Sequence, residues 1–266
     1  MSHFWFWPAV VMGAIEGLTE FLPISSTGHL IITGDLIDLR GEKAKTFQIF
    51  IQLGAILAVC WYYRDRLLGV VAGLPGDEVA RRFTVNLAVA FFPAAALGFL
   101  SYGYIRDHLF SPGSVALASI IGGFVILIVE RWKGEAHIHS VDELRWQDAL
   151  KVGIAQLAAL IPGTSRSGAT IIGGLVFGLS RPAATELSFF LAIPTIFAAV
   201  LYDLWQSWPL LAVEDLKMFA VGFAVSFFTA WLAVSALLRF VRTHSFRPFA
   251  YYRIVFGGLA LAYFWS

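Results

Sequence analysis

The chain has 266 residues, of which 58% are apolar, 15% aromatic and only 14% charged, with a mean hydropathy of +0.74. Soluble domains are about a quarter charged, so this composition predicts a polytopic membrane protein. It excludes a disordered chain, and the single cysteine, Cys60, excludes a disulfide scaffold. With 19 basic and 18 acidic residues, the chain has no basic excess for nucleic acid, and the lipid bilayer is its expected environment.

The first apolar run, from Pro8 to Leu22, is too short to span a bilayer and contains two acidic residues. It stops at Pro23. The polar segment 25–29 follows shortly after, and a second short apolar run covers 30–39. Lipid cannot satisfy the backbone groups that such a break releases, so the pattern predicts a re-entrant helical hairpin. A kinked spanning helix is the alternative.

Six longer apolar stretches predict membrane-spanning helices. They cover roughly 47–63, 83–105, 114–130, 187–205, 216–238 and 249–265. A polar linker at 131–148 lies near the middle of the chain, and region 149–179 after it repeats the layout of the first hairpin. Its break is the segment from Pro162 to Gly168.

An internal repeat relates the two hairpins. A shift of 140 residues aligns 13–62 with 153–202 without a gap, and it pairs Ser25 with Ser165. Each half, about 1–130 and about 149–266, therefore predicts one re-entrant hairpin and three spanning helices within a single domain, 1–266. Because three is odd, the halves should have opposite orientations, and the special site should lie where the broken helices meet.

Glu16 and Glu20 are four residues apart and share one helix face. Intramembrane acids are expensive, so the pair predicts a divalent cation site or a catalytic base. The alternative is that the pair faces an internal water pocket and has no function.

Ser26 and His29 lie in the polar segment that follows Pro23. A serine near a histidine and an acid suits nucleophilic catalysis, although the hydroxyls here also suit helix capping.

Arg166 lies in the second break, among serines and glycines. An arginine at membrane depth needs an anion, and helix N-termini with free N–H groups favour phosphate. The alternative is a structural salt bridge to Glu16 or Glu20. The implied ligand has a phosphate head and a lipid tail.

Segments 16–29, EGLTEFLPISSTGH, and 162–170, PGTSRSGAT, resemble the two signature segments of the undecaprenyl-diphosphate phosphatase family, the bacitracin-resistance family. The resemblance covers essentially the whole chain. It implies an all-α enzyme of the bacterial cytoplasmic (inner) membrane, with six transmembrane helices and two re-entrant hairpins in an inverted repeat. Such an enzyme removes one phosphate from undecaprenyl diphosphate, which recycles the carrier lipid for cell-wall synthesis.

The resemblance also implies roles for single residues. Glu16 and Glu20 form the acidic motif and hold Mg²⁺ or Ca²⁺, Ser26 is the nucleophile and His29 assists it. Arg166 grips the diphosphate. The residues expected to line the phosphate are Ser25, Thr27, Gly163, Ser165, Arg166, Ser167, Gly168 and Thr170.

Two other functions compete with hydrolysis. Inverted repeats with broken helices also occur in transporters, so the chain could flip a polyprenyl phosphate. A carrier needs no nucleophile, so Ser26 separates the two readings, and Arg166 argues against a cation channel. The sequence leaves open the membrane face to which the site opens and the oligomeric state, with a homodimer among the expectations.

Overall fold

The computed structural model describes residues 6–109, 111–207 and 215–265, and their regular structure is helical. The helices are α1 (Phe6–Thr19), α2 (Ser26–Leu36), α3 (Glu42–Tyr62), α4 (Arg64–Gly73), α5 (Glu78–His108), α6 (Pro112–Trp132), α7 (Trp146–Gln156), α8 (Arg166–Val176), α9 (Arg181–Ser207), α10 (Leu216–Phe240) and α11 (Arg247–Trp265). Two 3₁₀ turns, Val141–Glu143 and Leu157–Leu160, flank α7. Ile138 and Leu179 form an isolated β-bridge.

Five of these helices, α3, α5, α6, α9 and α10, are long and apolar enough to cross a membrane. Each coincides with one of the predicted stretches, and α11 coincides with the sixth, although it is not among the five. The protein is therefore an all-α, multi-pass membrane protein, as the composition predicts.

Both predicted breaks interrupt helices. Residues 20–25 separate α1 from α2, and the second break, at residues 161–165, lies between the 3₁₀ turn after α7 and the start of α8. Within each pair the two helices pack against one another. The charged segment 64–66, just after the first predicted spanning stretch, begins helix α4, none of whose residues is buried.

The polar linker 131–148 packs onto the helices rather than extending from them. Ile138, Val141 and Leu144 in this linker are buried. Asp142 in its 3₁₀ turn accepts hydrogen bonds from Arg66 and, through its backbone carbonyl, from Arg82.

The two breaks have matching backbone conformations at the 140-residue offset. Ser25 and Ser165 immediately precede α2 and α8, with φ angles of 70° and 73°. After each helix, one backbone hydrogen bond closes the same turn: Leu39 N–H donates to the Gly34 carbonyl (2.8 Å), and Leu179 N–H donates to the Gly174 carbonyl (2.9 Å).

The long helices pack the hairpins across the two halves of the chain. Helix α1 lies against α10 of the second half, and α7 lies against α5 of the first half. Glycines permit both close approaches. A Cβ at Gly13 would lie 2.5 Å from the Gly222 carbonyl oxygen, and a Cβ at Gly153 would lie 2.5 Å from that of Ala90. This packing brings the two breaks together.

Candidate active site

Ser26 and Glu20 form a close pair at the first break. The Ser26 hydroxyl donates to Glu20 Oε2 over 2.5 Å. Ser26 is the first residue of α2, and Ser25 before it adopts a left-handed conformation that favours glycine. Such strain persists only where the surrounding structure imposes it, and it concentrates at functional sites. A serine bound to a carboxylate in this way has a proton acceptor already in place.

Arg166, the first residue of α8, reaches the same carboxylate from the second break. Its Nη2 lies 3.3 Å from Glu20 Oε1, with both side chains about nine-tenths buried. Nη1 donates to the Ser188 carbonyl (2.9 Å), while Nε has no partner among the described residues. The salt bridge considered from the sequence is therefore present, and it joins the two breaks.

Glu16 lies one helical turn before Glu20 and is completely buried. Neither of its carboxylate oxygens has a hydrogen-bond partner in the described part of the chain. Glu20 therefore has both oxygens occupied, whereas Glu16 offers two unoccupied acceptors.

His29 is oriented away from this pair. Its Nδ1 lies 2.8 Å from the Ser25 carbonyl oxygen, which can only accept, so Nδ1 carries the proton. In the neutral ring, Nε2 then accepts from the Tyr252 hydroxyl (2.7 Å). The ring stacks on Phe256, with centroids 4.0 Å apart. The direct partner of Ser26 is Glu20, and His29 holds the strained turn that precedes it.

Most of the residues expected to line the phosphate lie in the second break or at the start of α8. Ser165 Oγ accepts from Gly168 N–H and caps α8, and it also lies 3.0 Å from Ser167 Oγ. Ser167 donates to the Leu22 carbonyl in the first break (2.8 Å). Thr170 Oγ1 lies 2.7 Å from Ser188 Oγ.

The first break differs from the second at its helix N-terminus. No side-chain hydrogen bond caps α2, although Ser25 occupies the position that Ser165 uses to cap α8. Thr27 in the first turn of α2 is half-buried. The first N–H groups of α2, beside Ser26, are therefore available to an anion.

Helix α11 supplies residues that the sequence analysis missed. Tyr252 and Phe256 hold His29, and Arg253 between them is buried and donates to backbone carbonyls of both breaks. All three lie in a stretch that was interpreted only as a spanning helix. An arginine inside an apolar run was the available signal, because a charge at membrane depth is rarely without a role.

These features define a multi-pass membrane protein whose two broken helices meet at a buried cluster of serine, carboxylate and guanidinium groups. The family model described as "Bacitracin resistance protein BacA" matches residues 9–259. The chain belongs to this family.

Relatives with high identity extend over nearly the full chain. An undecaprenyl-diphosphatase of Cupriavidus metallidurans is 54% identical, over 97% of this chain and 95% of its own length. The undecaprenyl-diphosphatase of Aromatoleum aromaticum is 57% identical, over 96% and 93%, and that of Pseudomonas aeruginosa is 57% identical, over 96% and 92%. The chain is thus similar to these phosphatases along its whole length.

Proposed function

We infer that this chain is an undecaprenyl-diphosphatase. It hydrolyses undecaprenyl diphosphate to undecaprenyl phosphate and inorganic phosphate, the activity after which its relatives are named. The observation that supports roles for particular residues is a chain of contacts: Ser26 Oγ lies 2.5 Å from Glu20 Oε2, and Arg166 Nη2 lies 3.3 Å from Glu20 Oε1. It combines a nucleophile, its proton acceptor and a phosphate-binding cation.

The proposed reaction begins when Ser26 Oγ attacks the terminal phosphorus and passes its proton to Glu20. The bond between that phosphorus and the bridging oxygen breaks, and the leaving undecaprenyl phosphate takes up the proton from Glu20, which becomes a free base again. Water then attacks the phosphoserine and gives a proton to Glu20. As the phosphorus–Oγ bond breaks, Glu20 passes this proton to Ser26 Oγ, so inorganic phosphate is released and the hydroxyl is restored. Phosphoryl transfer requires in-line positioning and neutralisation of charge more than covalent help, which suits so few groups. Direct attack by a water held by Glu20 is the alternative.

The phosphates are proposed to bind between the two helix N-termini. The uncapped start of α2 offers backbone N–H groups next to Ser26, and Arg166 has an unpartnered Nε. Arrival of a diphosphate would compete with Glu20 for the guanidinium and free this carboxylate to act as base. The salt bridge and the phosphate clamp are then two states of one side chain.

A divalent cation, Mg²⁺ or Ca²⁺, fits one feature of the site. The buried carboxylate of Glu16 has no donor among the described residues, and a cation would satisfy it. In the described residues no group of three acidic, histidine or cysteine side chains is clustered to hold a metal, so the substrate would have to complete the ligand set. When bound, the cation would neutralise charge on the diphosphate. Glu16 would hold the cation, with Glu20 beside this carboxylate.

The proposed membrane arrangement has six spanning helices and two re-entrant hairpins, α1–α2 and α7–α8, in an inverted repeat. Supporting it are the matching turns at Ser25 and Ser165 and the packing of each hairpin on the opposite half. We place the protein in the bacterial cytoplasmic (inner) membrane, where its lipid substrate is used. A homodimer remains an expectation that light scattering in detergent can test.

The experiment that tests this function is Ser26→Ala, compared with Ser235→Ala, a half-buried serine on α10 whose hydroxyl donates only to the Trp231 carbonyl of its own helix. Loss of the attacking group should lower phosphate release from undecaprenyl diphosphate by about 10³-fold or more, while Ser235→Ala retains the wild-type rate. A melting midpoint in detergent verifies that both variants fold. If Ser26→Ala keeps more than about a tenth of wild-type turnover, Ser26 is not the nucleophile.

A further inference from the structure

Arg253 on α11 is the largest fully buried side chain in the described part of the protein, with 1% of its surface exposed. Its guanidinium donates five hydrogen bonds, all to backbone carbonyl oxygens. The acceptors are Ser119 for Nε (3.1 Å), Pro23 and Thr164 for Nη1 (3.2 and 2.7 Å), and Ala118 and Gly163 for Nη2 (3.2 and 3.0 Å).

These five carbonyls belong to three separate parts of the fold. Pro23 is in the first break, Gly163 and Thr164 are in the second, and the other two lie on α6. No ion pair joins Arg253 to a carboxylate within the described ranges, so its charge is held by peptide dipoles alone. A guanidinium has five N–H groups, and all five are engaged. Arg253 therefore cannot take a phosphate without breaking these bonds.

Two glycines lie close against this guanidinium. A Cβ at Gly122 of α6 would overlap with Nη2 and lie 2.6 Å from Cζ. A Cβ at Gly168 would lie 3.1 Å from Nη1. The absence of side chains at both glycines thus makes room for the guanidinium, which is positioned by close packing as well as by hydrogen bonds.

We propose that Arg253 is a positioning residue that sets the distance between the two breaks and so assembles the active site, an assignment that rests on the proposed function. Pro23 is three residues before Ser26, and Thr164 is two residues before Arg166. Because one rigid planar group binds both carbonyls, the nucleophile on one turn and the phosphate-binding arginine on the other are held in register. Arg253 acts through these residues rather than on the substrate.

The first variant is Arg253→Lys, which keeps the charge but replaces five donors in a fixed fork by three on a flexible stem. Because displacements near 1 Å can lower rates 10²-fold, we expect kcat to fall about 10- to 100-fold with a smaller change in KM. Arg181→Lys is the matched control. Arg181 pairs with Glu130 (2.5 Å) away from the breaks. Weakening this ion pair should lower the melting midpoint and leave the kcat of the folded protein unchanged.

The second variant, Gly122→Ala, moves the guanidinium without altering it. We expect the same selective loss of kcat as for Arg253→Lys. Gly258→Ala on α11 is its control, because a Cβ there has nothing within 4 Å, and its kcat should equal that of the wild type. If Arg253→Lys fails to fold, the Gly122 and Gly258 pair decides the question.

A double-variant cycle with Arg166→Lys separates positioning from general stabilisation. If Arg253 acts through Arg166, the kcat losses of Arg253→Lys and Arg166→Lys should combine to less than the product of the single effects. Wild-type kcat in Arg253→Lys and Gly122→Ala, or fully multiplicative losses, would overturn the assignment. Those outcomes leave the function intact, whereas its failure would appear as a wild-type protein that releases no phosphate.

Discussion

Glu16 is the residue of the site whose surroundings are least complete. It is fully buried on α1, and both of its oxygens lack a hydrogen-bond partner among the described residues, while Glu20 binds Ser26 and Arg166. A buried carboxylate left unpaired is strongly destabilising, so such a group is retained only where something else satisfies it during function. In the proposed function, a cation that arrives with the diphosphate fills this role.

The prediction for Glu16→Gln concerns cation dependence. An amide is a weaker ligand than a carboxylate, so the Mg²⁺ or Ca²⁺ concentration for half-maximal phosphate release should rise by roughly tenfold or more, with partial rescue at high cation. The measurement is a cation titration after chelation. Glu186→Gln is the control, because this half-buried acid contacts Tyr63 outside the site and should leave the titration unchanged. An unshifted midpoint in Glu16→Gln would show that Glu16 does not bind the cation.

Local sequence identified the residues of the two breaks but not those that hold them. Glu20, Ser26 and Arg166 could be predicted because each is unusual within its own apolar segment. Tyr252 and Phe256 could not, because aromatic residues are ordinary in a spanning helix, and only folding brings Tyr252 to His29 across 223 residues of sequence. Their role depends on tertiary packing, which a single sequence does not display.

At the scale of helices, the packing of α1 against α10 determines where the carboxylates lie. Gly13 and Gly17 form the contact face of α1, and a Cβ at either would approach backbone oxygen atoms of α10 too closely. Glu16 lies between these glycines in sequence. The close approach of α1 to α10 therefore sets the depth and orientation of the acidic residues.

Gly13→Ala tests this dependence. Its Cβ would meet the Gly222 carbonyl oxygen at 2.5 Å, so α1 must shift. We expect a loss of about 1–3 kcal/mol in stability, seen as a lower melting midpoint in detergent, together with reduced turnover. Gly69→Ala on the exposed helix α4 meets no atom within 4 Å and should be neutral or slightly stabilising. Equal melting midpoints for the two variants would contradict the packing argument.

Helix boundaries were predictable where the chain carries strong breakers. Proline, glycine and serine mark residues 20–25 and 161–165, and the helices are interrupted there. Helix α4 was missed because its first three residues, 64–66, are charged and no apolar stretch long enough to span follows them. A short exposed helix with no buried residue leaves little periodicity in the sequence.

For the whole molecule, the correspondence between the halves extends beyond sequence to packing partners. Helix α1 pairs with α10 and α7 pairs with α5, while α3 lies on α9 and α6 on α11. Shifting each helix to its counterpart in the other half returns the same set of pairs, as a two-fold relation between the halves requires. If each half has the three spanning helices proposed above, this relation implies opposite orientations in the membrane.

The inverted arrangement predicts that the ends of α2 and α8 lie on opposite sides of the membrane. Asp38, just after α2, has an exposed side chain and is one probe position. Its counterpart Gly178 is unsuitable, because φ is 88° and a Cβ would strike the His137 ring. The exposed His139 serves instead, since its neighbour Ile138 forms the β-bridge with Leu179 at the end of α8.

Asp38→Cys and His139→Cys, each in a Cys60→Ala background, should therefore react with a membrane-impermeant maleimide from opposite sides of sealed vesicles. Both must retain phosphate release, which verifies folding, and both must react fully after detergent is added. Cys60→Ala alone is the blank. The physical reason is the parity of the spans: a hairpin returns to the side it entered, and three crossings bring the second hairpin to the other side. Reaction of both cysteines from the same side would refute the inverted repeat while leaving the contacts among Ser26, Glu20 and Arg166 unaffected.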